Sequence, residues 1–326
     1  MNQGKSKLLF RNLEISDKEI VDRTVRYAES MSCQLSFANL YCLSGKYNTK
    51  ICISDGILYI RQSRRDENLY AAYLLPMKIP EEYSESEDND PSDWLYQAIE
   101  KIRTEVHYDG KLLMFFGVTE DMSKFILEKE KGRFYRLENR DWAEYIYMSA
   151  KMISLSGRHL ASKRKTFNKF IREYGERLTI SKITKDNIEA VREFQKKWMT
   201  NNRMKAEEQQ SLVYENESIN IALDSFEALG LEGIVLYIDD SVAAYSYGQP
   251  VTDNVFDVIV EKGDYRYPNI YRAVNRFFVI YCCKKYKFIN REEDIGSEGL
   301  RQAKMRYQPE RLLKKYNLYE QKEGSV

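Results

Sequence analysis

Apolar and polar positions in the first half of the chain predict a helix followed by a series of short strands. Residues 16–28 have the pattern of an amphipathic helix, and Ser16 at their start can cap that helix. Asp55-Gly56 is a two-residue hairpin signal. Strands are predicted at 37–43, 50–53, 57–61, 70–75, 111–118 and 133–137. An acidic loop over 81–90 and helices from Pro91 to about 106 and over 120–130 complete this half.

The second half repeats this order of elements. Helices are predicted near 159–175, 185–202, 205–229 and 267–285, and strands at 233–238, 241–248, 255–261 and 287–289. Asp239-Asp240 joins two of the strands in a tight hairpin. The halves share a pattern but no residue-level repeat. With 326 residues, the chain is long enough for two domains, which we place at 1–150 and 151–326.

Composition narrows the class of protein. The 51 basic and 50 acidic residues balance, so only a local patch could attract nucleic acid. Five cysteines without a CxxC pair are typical of a reducing compartment, and two distant histidines argue against a metal site or a Ser-His-acid triad. No run approaches the roughly 20 apolar residues of a membrane helix, and the first residues lack a signal peptide core. We therefore expect a cytoplasmic protein without a transmembrane segment or a metal.

The densest polar chemistry lies at 290–309, NREEDIGSEGLRQAKMRYQP. Ser297 can cap a helix that begins at Glu298. If the preceding strand continued, Asn290, Glu292 and Asp294 would point to one side. Arg301 and Lys304 on the following helix could then meet these acids. The sequence leaves two interpretations open: a cluster that binds substrate, with Glu292 catalytic, or an ion-pair lock that holds the last strand.

Two more acids lie on the predicted strand at 255–261. Asp257 and Glu261 are four residues apart, so they should face the same side of that strand. Glu261 stands at the end of the strand, which makes it the first candidate for a general base or an anchor for an amine. Asp257 is a second catalytic candidate. The alternatives are a capping or lysine-paired role for Glu261 and a strand-edge role for Asp257.

A basic helix face is the candidate nucleic-acid contact. Its members recur at helical spacing opposite an apolar stripe: Arg158, Lys165, Lys169 and Arg172. Such a face can follow a phosphate backbone. It is also compatible with simple solvation.

The 290–309 segment resembles the signature of soluble relatives of the phosphatidylglycerol lysyltransferase C-terminal domain. Weaker similarities occur at 155–170 (LSGRHLASKRKTFNKF), 261–264 (EKGD) and 273–277 (AVNRF), and the resemblance covers roughly 20–317. It implies an α+β fold of two tandem GNAT-like (acyl-CoA N-acyltransferase) domains, each a mixed, mostly antiparallel sheet flanked by helices. It also implies a relationship to Fem peptidyltransferases, which take aminoacyl groups from tRNA.

This resemblance leads us to expect a transferase that moves an activated acyl group, with aminoacyl-tRNA as donor, to an amine or hydroxyl acceptor. The acceptor could be a small molecule, a peptide or a lipid headgroup. Where the membrane lysyltransferases carry an Asp-Leu-Met-Arg pattern, this chain has Asp257-Val-Ile-Val260 and lacks the arginine. Two alternatives stay open: a CoA-dependent N-acyltransferase, and an inactive module that binds a ligand or nucleic acid.

No cofactor is expected, CoA included. Acyl-CoA enzymes of this fold hold the pyrophosphate at a glycine-rich helix N-terminus. The matching turns here, 261–268 (EKGDYRYP) and 119–121 (TED), are acidic and poor in glycine. Acids at a helix start repel a pyrophosphate.

We therefore predict that acetyl-CoA does not bind with micromolar affinity. Isothermal titration calorimetry of the purified protein with acetyl-CoA and CoA measures this directly. Saturable heats in the micromolar range would instead favour the CoA-dependent enzyme.

Overall fold

A computed structural model of the chain describes residues 7–64, 67–80, 91–201 and 206–322. The chain divides into two compact units. Unit 1 comprises Met1–Ser30, Leu43–Trp142 and Lys314–Val326, and unit 2 comprises Met31–Cys42 and Ala143–Leu313. The main boundary thus lies at 142/143, near the 150/151 boundary that we placed from the sequence, and two short segments belong to the unit that is remote from them in sequence.

Strands and helices are numbered in chain order over the described residues. The strands are β1 (Arg11–Asn12), β2 (Lys50–Ser54), β3 (Ile57–Gln62), β4 (Tyr70–Tyr73), β5 (Met77–Lys78), β6 (Leu112–Thr119), β7 (Phe134–Glu138), β8 (Glu144–Met148), β9 (Leu178–Lys182), β10 (Glu232–Ile238), β11 (Ser241–Pro250), β12 (Val255–Gly263), β13 (Phe288–Asn290), β14 (Arg311–Leu313) and β15 (Lys315–Glu320). The helices are α1 (Lys18–Tyr27), α2 (Phe37–Cys42), α3 (Ser44–Tyr47), α4 (Pro91–Tyr108), α5 (Glu120–Lys129), α6 (Ser149–Ser154), α7 (Ala161–Tyr174), α8 (Ile188–Asn201), α9 (Ala206–Asp224), α10 (Ile270–Cys282) and α11 (Glu298–Met305). The predicted acidic loop at 81–90 and the predicted start of a helix at 205 lie outside the described residues.

Unit 1 is a mixed sheet in the order β1-β2-β3-β4-β6-β15-β7, with β5 paired to β3. Among the described strands of this unit, only the β4–β6 pair is parallel. Helix α4 buries Leu95, Ile99 and Ile102, which recur at helical spacing, in the core of this unit. The predicted hairpin at Asp55-Gly56 joins β2 and β3, and both residues have positive φ, as that turn type requires.

Unit 2 has a second mixed sheet, in the order β14-β8-β13-β12-β11-β10-β9. Among the described strands, β12 and β13 are parallel and the other neighbours antiparallel. Helix α10 packs its apolar face, including Ala273, Val274 and Phe278, into the core beside the sheet. Each unit is therefore a mostly antiparallel sheet flanked by helices. The predicted α+β class, with two domains that are each a mixed, mostly antiparallel sheet flanked by helices, is confirmed.

Strand β12 contains a β-bulge that reorients its acids. Val258 lies opposite Gly248, but Val260 lies opposite Tyr247, which leaves Ile259 as an extra residue. An extra residue reverses the alternation of side chains beyond it. Asp257 therefore contacts Asn39 of α2, whereas Glu261 contacts Asn275 of α10. The prediction that these two acids face the same side was wrong, because it assumed an unbroken strand.

Residues 37–43 were predicted as a strand and are instead the short helix α2. Phe37, Ala38 and Leu40 are all buried there, and α2 packs against α9. A short apolar run that is buried on most sides has no period that separates strand from helix. The distinction matters because α2 carries Asn39 into the interior of unit 2.

Gly248 offers a test of the bulge. A Cβ at this position would lie 1.9 Å from the Asp257 carbonyl oxygen and 2.8 Å from the Phe256 ring. We expect Gly248→Ala to lower the free energy of unfolding by about 3 kcal/mol or more, as overpacking against backbone does. Urea unfolding measures the change.

Gly299→Ala is the matched control, since its Cβ meets nothing within 4 Å and the residue lies in α11. It should be neutral or stabilise by about 0.5–1 kcal/mol. Equal stability of the two variants would contradict the register described for β11 and β12.

Candidate functional site

A cavity of about 1020 Å³ opens in unit 2 along one edge of β12. Strand β13 pairs with β12 only from Val255 to Asp257, while β12 continues to Gly263. Residues 258–262 line the cavity, together with α10, the segment 291–307 and single side chains from α7, α8 and α9. Because β13 ends at Asn290, the sheet parts at this point. Backbone groups of β12 on that edge can therefore bind a ligand.

Charged and aromatic side chains dominate the lining of this cavity. Its basic residues are Lys163, Lys262, Arg272, Arg291, Lys304 and Arg306; its acidic residues are Glu215, Glu261, Glu292 and Glu293; its aromatic residues are Trp198, Tyr265, Tyr267, Tyr271 and Tyr307. A cavity of this size with convergent polar groups is typical of a small-molecule site.

Four of the basic residues, which we call the basic wall, approach one another: Lys163, Arg272, Arg291 and Arg306. The Lys163 ammonium lies 4.3 Å and the Arg291 guanidinium 5.3 Å from the centre of the Tyr307 ring. Burial, followed by the charges of the three arginines, lowers the pKa of Lys163 to about 8. Within the described residues, neither Lys163 nor the two other arginines of the wall has an ion pair with a carboxylate. The wall therefore carries positive charge that a bound anion would neutralise.

Arg291 is the member of the basic wall that has a counter-ion. Its guanidinium donates to Glu261, and the Asn275 amide donates to the same carboxylate at 2.9 Å. Burial alone would lower the pKa of Arg291, but the charge of Glu261 raises it above its ordinary value. Glu261, the base predicted from the sequence, thus lines the cavity with both of its oxygens engaged.

A group of acidic side chains lies at another part of the site. We call Glu144, Asp257, Glu292 and Glu293 the carboxyl cluster. Asn39 donates to Glu292 at 2.9 Å and to Asp257 at 3.1 Å. Burial and the charge of Glu293 raise the pKa of Glu292 to about 8. Burial, with Glu292 as the leading charge, raises the pKa of Asp257 well above its ordinary value. Glu292 and Glu293 line the cavity, and Asp257 lies buried behind them.

Asp294 and Arg301 form an ion pair, as the sequence predicted. Two guanidinium nitrogens donate to Asp294 at 3.0 and 2.9 Å, and the Tyr145 hydroxyl donates at 2.6 Å. Burial alone would raise the pKa of Asp294, but the hydrogen bonds from Arg301 and Tyr145 lower it below its ordinary value. This fully buried carboxylate ties α11 to β8, and its geometry is that of the ion-pair lock.

The remaining two predicted residues are also buried. Strand β13 ends at Asn290, whose amide donates to the Met31 carbonyl at 2.8 Å and to Glu144, while its carbonyl accepts from the Glu292 amide. Lys304 lines the cavity and donates to the carbonyls of residues 291 and 293 instead of to a carboxylate. Burial, followed by the charge of Arg291, lowers the pKa of Lys304.

The structure adds residues that we did not assign from the sequence. Lys163, Arg291 and Tyr307 stand in the cavity, and Asn39 joins two carboxylates beside it. The sequence contained a signal for Lys163, because this lysine falls on the apolar stripe of the predicted helix. In the structure it is buried. The four residues of the predicted basic face, Arg158, Lys165, Lys169 and Arg172, are all exposed.

Comparison with known proteins gives a family match. A sequence model of the family described as phosphatidylglycerol lysyltransferase, C-terminal, matches residues 25–319. An uncharacterized protein of Mycoplasmoides gallisepticum is 21% identical over 198 residues, which cover 60% of this chain and 63% of that protein. The chain thus matches less than two thirds of the length of this curated relative.

Solved structures share the fold. A conserved protein of unknown function from Bacteroides thetaiotaomicron has a TM-score of 0.87 and 27% identity, covering 96% of this chain and 100% of that one. L-PGS from Bacillus licheniformis has a TM-score of 0.59 and 13% identity, covering 86% of each chain. Across the described part of this chain, no helix has the length and apolarity needed to cross a membrane.

Removing the charge of Glu292 and removing that of Asp294 should change the stability of the protein in opposite directions. The pKa of Glu292 is 4.5 ordinarily and about 8 here, so the folded protein binds the extra proton between these values and loses stability as pH rises. We expect Glu292→Gln, which stays neutral, to be at least about 1 kcal/mol more stable than the parent at pH 8. The gain should vanish near pH 5.

Asp294→Asn is the companion variant. The pKa of Asp294 is lowered by folding, so its contribution to stability is present at neutral pH and is lost as pH falls. We expect a loss of about 3 kcal/mol at pH 7. Chemical unfolding across pH 5–9 measures the stability of both variants relative to the parent. If Glu292→Gln were less stable than the parent at pH 8, Glu292 would belong to the ion-pair lock together with Asp294.

Proposed function

Because the chain belongs to the phosphatidylglycerol lysyltransferase C-terminal family, we propose that it transfers an aminoacyl group from tRNA to an amine or hydroxyl acceptor. The family supports an acyltransferase-type activity. The donor and the acceptor class are our proposal. One observation supports this proposal most directly. The same cavity has the basic wall at one part of its lining and two carboxyl groups, Glu292 and Glu293, at another.

The basic wall fits a phosphate of the donor. Arg272 and Arg306 have no carboxylate ion pair among the described residues, and the Glu261 carboxylate holds Arg291 in place. Guanidinium groups bind phosphate oxygens through paired hydrogen bonds. An aminoacyl-tRNA carries its reactive ester next to such a phosphodiester. In this proposal Glu261 and Asn275 therefore position Arg291, which binds the donor.

Lys163 is suited to accept a proton from the acceptor. A general base works best when its pKa lies near the working pH, and burial beside the arginines brings the pKa of Lys163 to about 8. The neutral amine then takes the proton from an attacking amine or hydroxyl. In this proposal the ammonium of the aminoacyl group lies toward the acidic part of the lining.

The outer face of α7 supports a polynucleotide donor. The helix that directs Lys163 into the cavity exposes Lys165, Lys169 and Arg172 on its other side. A tRNA whose end entered the cavity could lay its backbone along this face. Acceptors to be tested are a small amine, a peptide and a phosphatidylglycerol headgroup.

The direct test is transfer from charged tRNA. Pooled tRNA charged with radiolabelled amino acids is incubated with the protein and each acceptor, and the labelled product is separated from tRNA. We expect transfer to one acceptor class and a loss of at least 100-fold in Lys163→Met, within the range of general-base effects. Saturable tRNA binding without transfer to any acceptor would make the chain a binding module.

Binding of tRNA should also depend on salt. We expect the triple change of Lys165, Lys169 and Arg172 to Gln to flatten the log–log salt slope by about two units, near 0.7 for each phosphate contact on single strands. Lys185→Gln, an exposed lysine elsewhere in unit 2, is the control. An unchanged slope in the triple variant would assign this face to solvent.

A further inference from the structure

A second part of the cavity lining is aromatic. We call Trp198, Tyr265 and Tyr271 the aromatic corner, and all three line the cavity. The Trp198 indole N–H donates to the Tyr271 hydroxyl at 3.2 Å, and the centres of the Tyr265 and Tyr271 rings lie 5.3 Å apart. These side chains come from α8, from the segment between β12 and α10, and from α10 itself. Flat apolar faces that are held in this way can bind an aromatic or large apolar group.

Lys262 of β12 and Glu215 of α9 form an ion pair at this corner. The Lys262 ammonium donates to both carboxylate oxygens of Glu215, at 2.9 and 2.8 Å, and lies 3.9 Å from the centre of the Trp198 ring. Both residues line the cavity. One face of Trp198 is thus occupied by the protein's own ammonium, and the Glu215 carboxylate already has its counter-ion. A cationic ligand would need one or the other.

The other acids of the cavity lining do not supply a further place for a cationic side chain. Glu261 accepts from Arg291 and from Asn275. Glu292 and Glu293 lie at the part of the lining toward which the function proposed above places the α-ammonium of the aminoacyl group. An ammonium or guanidinium group brought to the aromatic corner would therefore lose water without gaining a carboxylate. An unpaired charge in such a place is costly.

The aromatic corner adjoins the basic wall along α10. Tyr271 belongs to the corner, and Arg272, the next residue of the helix, belongs to the wall. An aminoacyl-tRNA carries its amino acid on the terminal ribose, next to a phosphodiester. A donor whose phosphate is bound by the basic wall can therefore bring its amino-acid side chain to the corner.

We propose that the aromatic corner binds the side chain of the transferred amino acid and selects an uncharged aromatic or large apolar side chain over a cationic one. This inference rests on the function proposed above and names the class of its donor. The Lys262–Glu215 pair sets the selectivity, because it occupies both the carboxylate and the ring face that a cation would use. The description of the family names lysine transfer, so the inference assigns this chain a different class of amino acid.

Amino acid amides test the corner without tRNA and without transfer. Phenylalaninamide, norleucinamide and lysinamide keep the α-ammonium and lack a reactive ester, and norleucinamide is the uncharged counterpart of lysinamide. NMR titrations of the full chain measure the three dissociation constants. We expect phenylalaninamide and norleucinamide to bind about 10-fold more tightly than lysinamide or better, because the side-chain ammonium of lysinamide would lie there without a counter-ion.

An exposed tyrosine of the corner tests where the amides bind. Tyr265→Ala should weaken the binding of phenylalaninamide by about fivefold or more, because an aromatic contact is lost. Tyr281→Ala is the matched control, since Tyr281 is an exposed tyrosine of α10 outside the cavity lining. It should leave the dissociation constant unchanged.

Lys262→Met should reverse the discrimination against a cation. It leaves the Glu215 carboxylate in the cavity without its counter-ion, so lysinamide should gain about 10-fold or more in affinity relative to norleucinamide. The double change of Lys262→Met with Glu215→Gln is the control, because it removes both charges and should show no such gain. If the single variant does not fold, the three amides on the parent protein still decide.

Three results would overturn the inference: equal affinity of the parent protein for lysinamide and norleucinamide, no saturable binding of phenylalaninamide, or binding that Tyr265→Ala leaves unchanged. A failure of the proposed function gives a different result, in which the amides bind with the expected preference but charged tRNA transfers nothing. Transfer of lysine in preference to phenylalanine would support the proposed function and reject this inference.

Discussion

Four consecutive charged residues, 291–294, run through the interior of unit 2, and each needs its own way of being neutralised there. Arg291 pairs with Glu261, Glu292 accepts from Asn39, and Asp294 is held by Arg301 and Tyr145. Burial of an unpaired charge costs several kcal/mol. The positions of α2, α11 and β8 are therefore linked to this segment, since each supplies one of the partners.

The same constraint produces the cavity. Strand β13 ends at Asn290, so β12 loses its neighbour beyond Asp257 and the charged segment turns away with a positive φ at Glu292. The gap is lined on one side by strand backbone and on the other by the charged segment and α11. Opposite charges are thus concentrated at a place where the sheet is open to a ligand.

Within the segment, anchoring and reactivity fall to different residues. Asp294 has three strong donors and a lowered pKa, as a structural carboxylate does. Glu292, two residues earlier, has one donor and a raised pKa beside other acids. Arrangements that displace pKa values toward neutrality are typical of sites that transfer protons. Within the signature at 290–309, Asp294 thus has the geometry of the ion-pair lock, and Glu292 remains our candidate for the functional role.

Local chemistry in the sequence determined much of the fold. Hairpin residues placed the turns, and Ser297 caps α11 by accepting from the Leu300 amide. Arg301, on the helix after the acids, was a candidate partner for them, and it pairs with Asp294. These features depend on neighbours within a few residues. The position of Asn39, the bulge at Ile259 and the inward direction of Lys163 were decided by tertiary structure. Asn39 is 218 residues from Asp257, and an amide at such a distance has no local pattern that marks its partner. Burial then raised the pKa of Glu292, since a pKa depends on the solvent exposure of a group and on all charges packed around it.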